Sequence, residues 1–168
     1  MASELISYQV IGIIHSEHKK LEETPIQPIF APECKGRVEV FPEFADGLRD
    51  IELFSHIYLI YHLHAAKETR LLTKPFLQDK VHGVFSTRSP VRPNHIGLSI
   101  VKLAGREGNV LLIEGADILD GTPLIDIKPY SKRFDNIPTQ RNGWQDEVDD
   151  ATAWARGRRS YKGSGKAE

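Results

Sequence analysis

A chain of 168 residues is the length of one ordinary domain, and its 40% hydrophobic and 27% charged residues are those of a globular protein. That excludes disorder and low-complexity fibre, and a chain of this size folds without a disulfide or a structural metal. The 22 basic and 23 acidic residues leave a net charge of −1, which excludes a globally basic nucleic-acid coat while leaving room for a basic patch on one face. The single cysteine, Cys34, excludes an internal disulfide framework and a Cys-cluster zinc site, and fits a reducing cytoplasm. The opening MASELISYQV has no basic segment leading into an apolar run, and the longest apolar-rich stretch, Ile57 to Leu63, is far short of the roughly 18 residues of a membrane helix. Neither a secretory signal nor a membrane span is expected.

In chain order, Tyr8–Ile14 is rich in β-branched residues and predicts a first strand. Pro25, Pro28 and Pro32 then exclude a regular helix or central strand, and a loop this long in a compact domain is often functional. Gly36–Phe41 alternates polar and apolar residues and predicts a half-exposed strand, and Glu43–Leu53 has room for a short helix. Ser55–His64 is the clearest strand. Phe85–Asn94 is rich in turn residues. Gly97–Leu103 and Asn109–Ile113 flank Gly105-Arg106-Glu107-Gly108 as a hairpin, and Asp126–Tyr130 predicts a last strand that Pro129 ends at an edge. Gly143–Arg156, acidic first and basic last, is the one convincing helix, and residues 162–168 read as a flexible tail. Many short strands between Gly and Pro turns predict an antiparallel sandwich or barrel, and Gly12 alone after the first strand gives no dinucleotide-binding fingerprint.

Four groups of residues could carry chemistry. Strand alternation puts His56, Tyr58, Ile60, His62 and His64 on one face. His62 and His64 could then present two imidazoles to a metal, with His82 or Asp126 as a third ligand; a polar, half-exposed sheet face explains the same residues. Arg88 and Arg92 stand four apart in a chain that Pro90 and Pro93 hold extended. Two pre-ordered guanidiniums suit carboxylate or phosphate, and a solvated surface turn is the plain alternative. Asp120-Gly121-Thr122-Pro123 is a turn whose amides and carboxylate could hold a ribose or an amino group. Arg156, Arg158, Arg159, Lys162 and Lys166 form a basic end that either contacts nucleic-acid phosphates or is simply solvated.

Taken together and in this order, YQVIGIIHS, IELFSHIYLIYHLH, FSTRSPVRPNHIGLSIVKL and DILDGTPLIDIKPY resemble the TsaA-like family of TrmO-type tRNA methyltransferases, from about Tyr8 to Tyr130. The resemblance implies a mainly β fold, a single-sheeted antiparallel β-barrel with a few short helices, working as a cytoplasmic homodimer. The division expected is a barrel domain over residues 1–140 and a C-terminal helix with a basic tail over 141–168. It implies S-adenosylmethionine as cofactor, tRNA as partner, and N6-methylation of N6-threonylcarbamoyladenosine next to the anticodon. By similarity, cofactor contacts fall on Pro25, Ile26, Gln27, His64, Ala65, Arg88, Leu98, Asp120, Gly121, Thr122 and Pro123. The acceptor nitrogen must lose a proton, for which His64, His62 and Asp126 are candidates, and the acceptor's carboxylate needs a cation, for which Arg92 is preferred. The chain departs from the family at Ile26, where a basic residue is common, and at His95, where proline is common. Two other function classes stand beside this reading: a metal-dependent barrel hydrolase using His62 and His64, and a module that binds S-adenosylmethionine or a nucleotide without catalysis.

Overall fold

The computed structural model describes residues 4–163. Eight strands form: β1 (Gly12–Ser16), β2 (Lys35–Val40), β3 (His56–His62), β4 (Leu72–Thr73), β5 (His82–Gly83), β6 (Ile96–Glu107), β7 (Val110–Glu114) and β8 (Thr122–Pro129). Six of them close into one antiparallel barrel in the order β1-β2-β7-β6-β3-β8, and β4 and β5 make a separate two-stranded ribbon. The barrel expected from the sequence is therefore the barrel observed. Its closure also removes the edge that Pro129 was expected to mark. Among the described residues no helix is long and apolar enough to cross a membrane.

Period-two alternation builds the core. Ile14 on β1, Val38 and Val40 on β2, Ile57, Leu59 and Tyr61 on β3, Val101 and Leu103 on β6, Leu111 and Ile113 on β7, and Leu124 on β8 all point inward and are buried. Each aliphatic side chain so buried contributes about 1.5–3 kcal/mol. The longest ladder, β3 on β6, runs from His56–Lys102 to His62–Ile96. Within it Gly97 faces Tyr61, and a Cβ there would fall inside the phenol ring. The seam between β1 and β8 is short, pairing Gly12 with Leu124, Ile13 with Pro123 and Ile14 with Thr122.

β8 carries a bulge. Ile60 pairs with Asp126 but Tyr61 pairs with Leu124, so Ile125 is an extra residue. One extra residue reverses which side chains face inward. Thr122 and Leu124 point into the barrel before it; after it Ile127 packs on the core, and Asp126 shares the outer face with Ile60.

Several boundaries differ from the sequence reading. The first strand starts at Gly12; Tyr8, four residues earlier, is exposed and lies outside the ladder. The Pro-rich segment holds only two 3-10 turns, Leu21–Glu23 and Pro28–Phe30. The expected short helix is two 3-10 segments, Pro42–Leu48 and Ile51–Leu53, parted by Asp50 in the left-handed region. The hairpin turns at Gly108-Asn109, because β6 runs on through Gly105 to Glu107. After a one-turn helix α1 (Lys132–Asp135), the expected helix over Gly143–Arg156 is a 3-10 turn, Gly143–Glu147, followed by α2 (Asp150–Gly157). Val148 is extended, and Asp149 restarts the helix as its N-cap, accepting from the Thr152 amide at 2.8 Å. Residues 164–168 of the tail, including Lys166, lie outside the described residues.

Candidate functional site

A cleft of about 1380 Å³ opens beside β6 and across one mouth of the barrel. One wall is the Pro-rich loop, with Pro25, Ile26 and Gln27; facing it is the loop that carries Arg88 and Arg92; Leu98 projects from the outer face of β6. His64 and Ala65 stand at the end of β3, and Tyr61, Asp117 and Thr122 form the floor. Nine of the cofactor-contact and catalytic candidates thus border one cavity: Pro25, Ile26, Gln27, His64, Ala65, Arg88, Arg92, Leu98 and Thr122.

The two loops touch through one pair. Arg88 Nη1 donates to Gln27 Oε1, while Gln27 Nε2 donates to the Ile26 carbonyl at 2.6 Å. Arg92 behaves differently. Its Nη1 donates to the carbonyls of Thr87 at 3.1 Å and Ser89 at 3.3 Å, so it holds the loop in shape while bordering the cleft. His95, in the same loop, has φ 44°, a value that proline, locked near −65°, could not adopt. The loop conformation is therefore specific to a chain without proline at this position.

His64 is not the strand-face neighbour of His62. β3 ends at His62, and the His64 amide donates back to the His62 carbonyl at 2.8 Å, so the chain turns between them. His62 faces His95 with ring centroids 6.4 Å apart, whereas His64 Nδ1 lies 3.3 Å from Thr122 Oγ1. The threonine hydroxyl spends its one proton on the Leu119 carbonyl, at 2.6 Å. The neutral imidazole must then donate from Nδ1, which leaves Nε2 with a free lone pair.

The remaining candidates lie elsewhere. Asp120 accepts from the Ser16 amide at 2.9 Å and pairs with Lys19 at 2.6 Å. Burial alone would raise its carboxyl, but Lys19, the Ser16 amide and His15 outweigh that and hold it below the usual range. The Gly121 amide donates to the Ile14 carbonyl, and Pro123 sits in the β1–β8 seam, so this turn is tied to β1 and only Thr122 reaches the cleft. Asp126, on the outer face, pairs with Lys128 at 2.9 Å. His82 bonds Gln78 at 2.6 Å and stacks on Trp144. The ligand set imagined around His62 and His64 does not converge. Among the described residues the one trio of metal-ligating types that does is Glu17, His18 and Cys34, and two of these are already engaged, His18 Nε2 with the Ala116 carbonyl at 2.8 Å and Glu17 with the Tyr161 hydroxyl at 2.7 Å.

Two residues of the cleft had no sequence signal. Asp117 is buried on the cleft floor at the end of a polar chain: Tyr61 donates to Ser99 at 2.9 Å, and Ser99 to Asp117 Oδ1 at 2.6 Å. Burial pushes its carboxyl up to about 7, against the opposing pull of Ser99 and Arg88. Trp144, from beyond the barrel, borders the cleft and donates its indole N–H to the Ser86 carbonyl at 2.8 Å. Apolar walls, a guanidinium and a buried carboxyl suit a ligand that is part aromatic and carries both charges.

Residues 13–136 match the model of the tRNA-methyltransferase O N-terminal domain. The chain belongs to that family. It is 56% identical over 140 residues to a Pyrococcus abyssi protein named as a probable S-adenosyl-L-methionine-binding protein, covering 83% of this chain and 76% of that one. It is 36% identical over 133 residues to a tRNA (adenine(37)-N6)-methyltransferase of Mus musculus, 75% of this chain but 31% of that one. The crystal structure of TrmO from Pseudomonas aeruginosa superimposes with a TM-score of 0.69 at 37% identity, covering 83% of this chain and 62% of that one. The chain thus spans about three fifths of that solved TrmO, and the family model ends before the C-terminal segment.

Proposed function

We propose that this protein transfers a methyl group from S-adenosylmethionine to N6 of N6-threonylcarbamoyladenosine beside the anticodon of tRNA, as a cytoplasmic homodimer. Family membership supports the coarser statement, an S-adenosylmethionine-dependent methyltransferase acting on tRNA. The observation that carries the finer one is the meeting of Gln27, Arg88, His64 and Thr122 around a single cleft.

The residues present fit the cofactor. Arg88 offers a guanidinium to a carboxylate, Asp117 a carboxyl to a cation, and Pro25, Ile26 and Leu98 apolar surface to a purine. When bound, S-adenosylmethionine supplies a methyl group already activated by its sulfonium. The protein's task is alignment, since holding the reacting atoms ~3–3.5 Å apart can remove roughly 7–11 kcal/mol of a barrier. His64 is the base: Thr122 fixes its tautomer, and Nε2 takes the proton that N6 must lose, an effect worth ~10²–10⁴-fold. Arg92 reads the threonyl carboxylate with the guanidinium protons that its two loop bonds, both made through Nη1, leave free. The dimer is supported by the outer face of β6, where Ile96 and Ile100, each 37% exposed, extend the apolar cleft wall on either side of Leu98, so that a second copy seated there would also help close the site.

The deciding experiment is methyl transfer to native tRNA bearing the threonylcarbamoyl group and to an unmodified transcript of the same sequence. Transfer to the native tRNA alone is expected, because a site built around a charged group rejects substrates that leave its arginine unpaired. Equal transfer to both overturns the substrate assignment. Light scattering at about the mass of one chain in an active preparation overturns the dimer.

A further inference from the structure

The C-terminal segment brings three arginines onto the barrel, and they are not equivalent. Arg156 forms a two-pronged pair with Asp79, at 2.9 and 3.2 Å. Arg158 pairs with Glu33 at 2.7 Å, donates to the Phe30 carbonyl at 2.9 Å, and lies over the rings of Trp154 and Tyr161. Both charges are consumed in fixing the segment. Gly157 presses against Phe30 so closely that a Cβ would enter the ring, and its carbonyl accepts from the Ile26 amide at 3.0 Å. The far side is tied as well: the Ser160 amide donates to the Glu22 carbonyl at 3.2 Å, and the Tyr161 hydroxyl to Glu17 at 2.7 Å.

Arg159 lies between these anchors and has no carboxylate partner within ion-pair distance among the described residues; Glu22 is the acidic side chain whose field reaches it. Its φ is 55°, in the left-handed region that a side chain with a Cβ enters at a cost of order 1–3 kcal/mol. Its guanidinium sits 4.5 Å over the Phe76 ring and borders the cleft, which Ile26 also lines without contributing a charge. A half-buried cation held by a strained backbone, stacked rather than ion-paired and aimed at a substrate cleft, is placed to meet an anion that arrives from outside. Trp144 and the 75%-exposed Phe85 stand on the same cleft and offer surfaces on which bases can stack.

We infer that Arg159 receives a backbone phosphate of the RNA substrate at the rim of the cleft, a contact supplied from outside the matched family segment of residues 13–136. The inference rests on tRNA being the substrate. A phosphate contact positions the RNA and reads no base, so its loss weakens modified and unmodified tRNA alike.

The test uses the full chain, with Arg159→Asn, which keeps a residue at ease in the left-handed region, and Arg159→Lys, which keeps the charge. Each is titrated with modified and unmodified tRNA across a salt series, with S-adenosylmethionine by calorimetry, and through a thermal melt. For Arg159→Asn, weaker binding of both RNAs is expected, with the slope of log affinity against log salt shallower by about one. Cofactor affinity and melting temperature should stay near the parent's, and Arg159→Lys should recover the slope. Unchanged RNA affinity and slope, with the parent protein binding normally, overturns the inference and leaves the function standing. A fall in cofactor affinity with the RNA slope intact assigns the cation to the cofactor's carboxylate and also overturns it. A parent protein that binds no tRNA overturns both.

Discussion

Two segments border the cleft from different directions: residues 87–95 as an irregular loop, and residues 117–130 as a turn running into β8. In the loop the backbone has no ladder to obey. Arg88 reaches across to Gln27, and Arg92 folds back on the carbonyls of Thr87 and Ser89. In the second segment the ladder decides everything. Thr122 points inward and meets His64, and the bulge at Ile125 turns Asp126 out to Lys128. Where a side chain points is thus set by local hydrogen bonds in one segment and by residue parity in the other, and a motif is a site only as far as those constraints let it be.

Five substitutions break or sharpen this contrast. The largest effect is expected at His64, held by the second segment: His64→Ala should slow single-turnover methyl transfer by roughly 10²–10⁴-fold. A loss of cofactor binding with an unchanged rate at saturation would reassign it to cofactor contact. Asp117 is next. Its folded pKa, about 7, stands above the unfolded value near 4, so the folded state binds the extra proton. The wild type therefore loses stability as pH rises from about 4 to about 7. Asp117→Asn, which does not titrate, should gain about 2–3 kcal/mol relative to wild type between about pH 5 and about pH 8. Denaturant melts showing no such pH dependence would place the carboxyl in a wetter site.

In the loop, Arg88→Ala should weaken S-adenosylmethionine binding by about 1.5–3 kcal/mol, the range for a hydrogen bond to a charged group. Arg92→Ala should leave cofactor affinity nearly intact and lower methyl transfer. If Arg92→Ala weakened only cofactor binding, the two arginines would have exchanged duties. The smallest effect belongs to Asp126→Asn. An outward carboxylate paired with an exposed lysine contributes about 0–1 kcal/mol, and transfer rates should stay within about twofold. A larger drop would mean that the outer face takes part.

The barrel was legible in the sequence because alternating β-branched runs between Gly and Pro breaks leave few alternatives. The strand interiors at Ile57–Tyr61, Val101–Leu103 and Leu111–Ile113 followed directly from period two. What period two cannot show is an interruption. The turn between His62 and His64 made a metal pair out of two divergent imidazoles, and Asp126 seemed a candidate base only because the extra residue at Ile125 was invisible. The late helix was overextended because Asp146 and Glu147 satisfy the acidic-first rule as well as Asp149 does, and only the capping bond to Thr152 separates them. Asp117 gave no signal, since an acid before an aliphatic pair looks the same buried or exposed until the barrel closes over it. Arg159 was visible only as one charge in a basic run, because the carboxylates that absorb Arg156 and Arg158, Asp79 and Glu33, are remote in sequence.

The β1–β8 seam governs how the barrel breathes. The ladder that locks β3 to β6 runs the whole length of β3, while the seam has three pairs and one of them, Ile13–Pro123, includes a residue with no amide hydrogen. The cylinder is expected to open here first, with amides along this line exchanging deuterium before those of the β3–β6 wall. Thr122 is the last rung of that zipper. An opening that carries Thr122 away would also part its hydroxyl from the His64 imidazole, so exchange at this seam and the orientation of that ring are expected to be coupled.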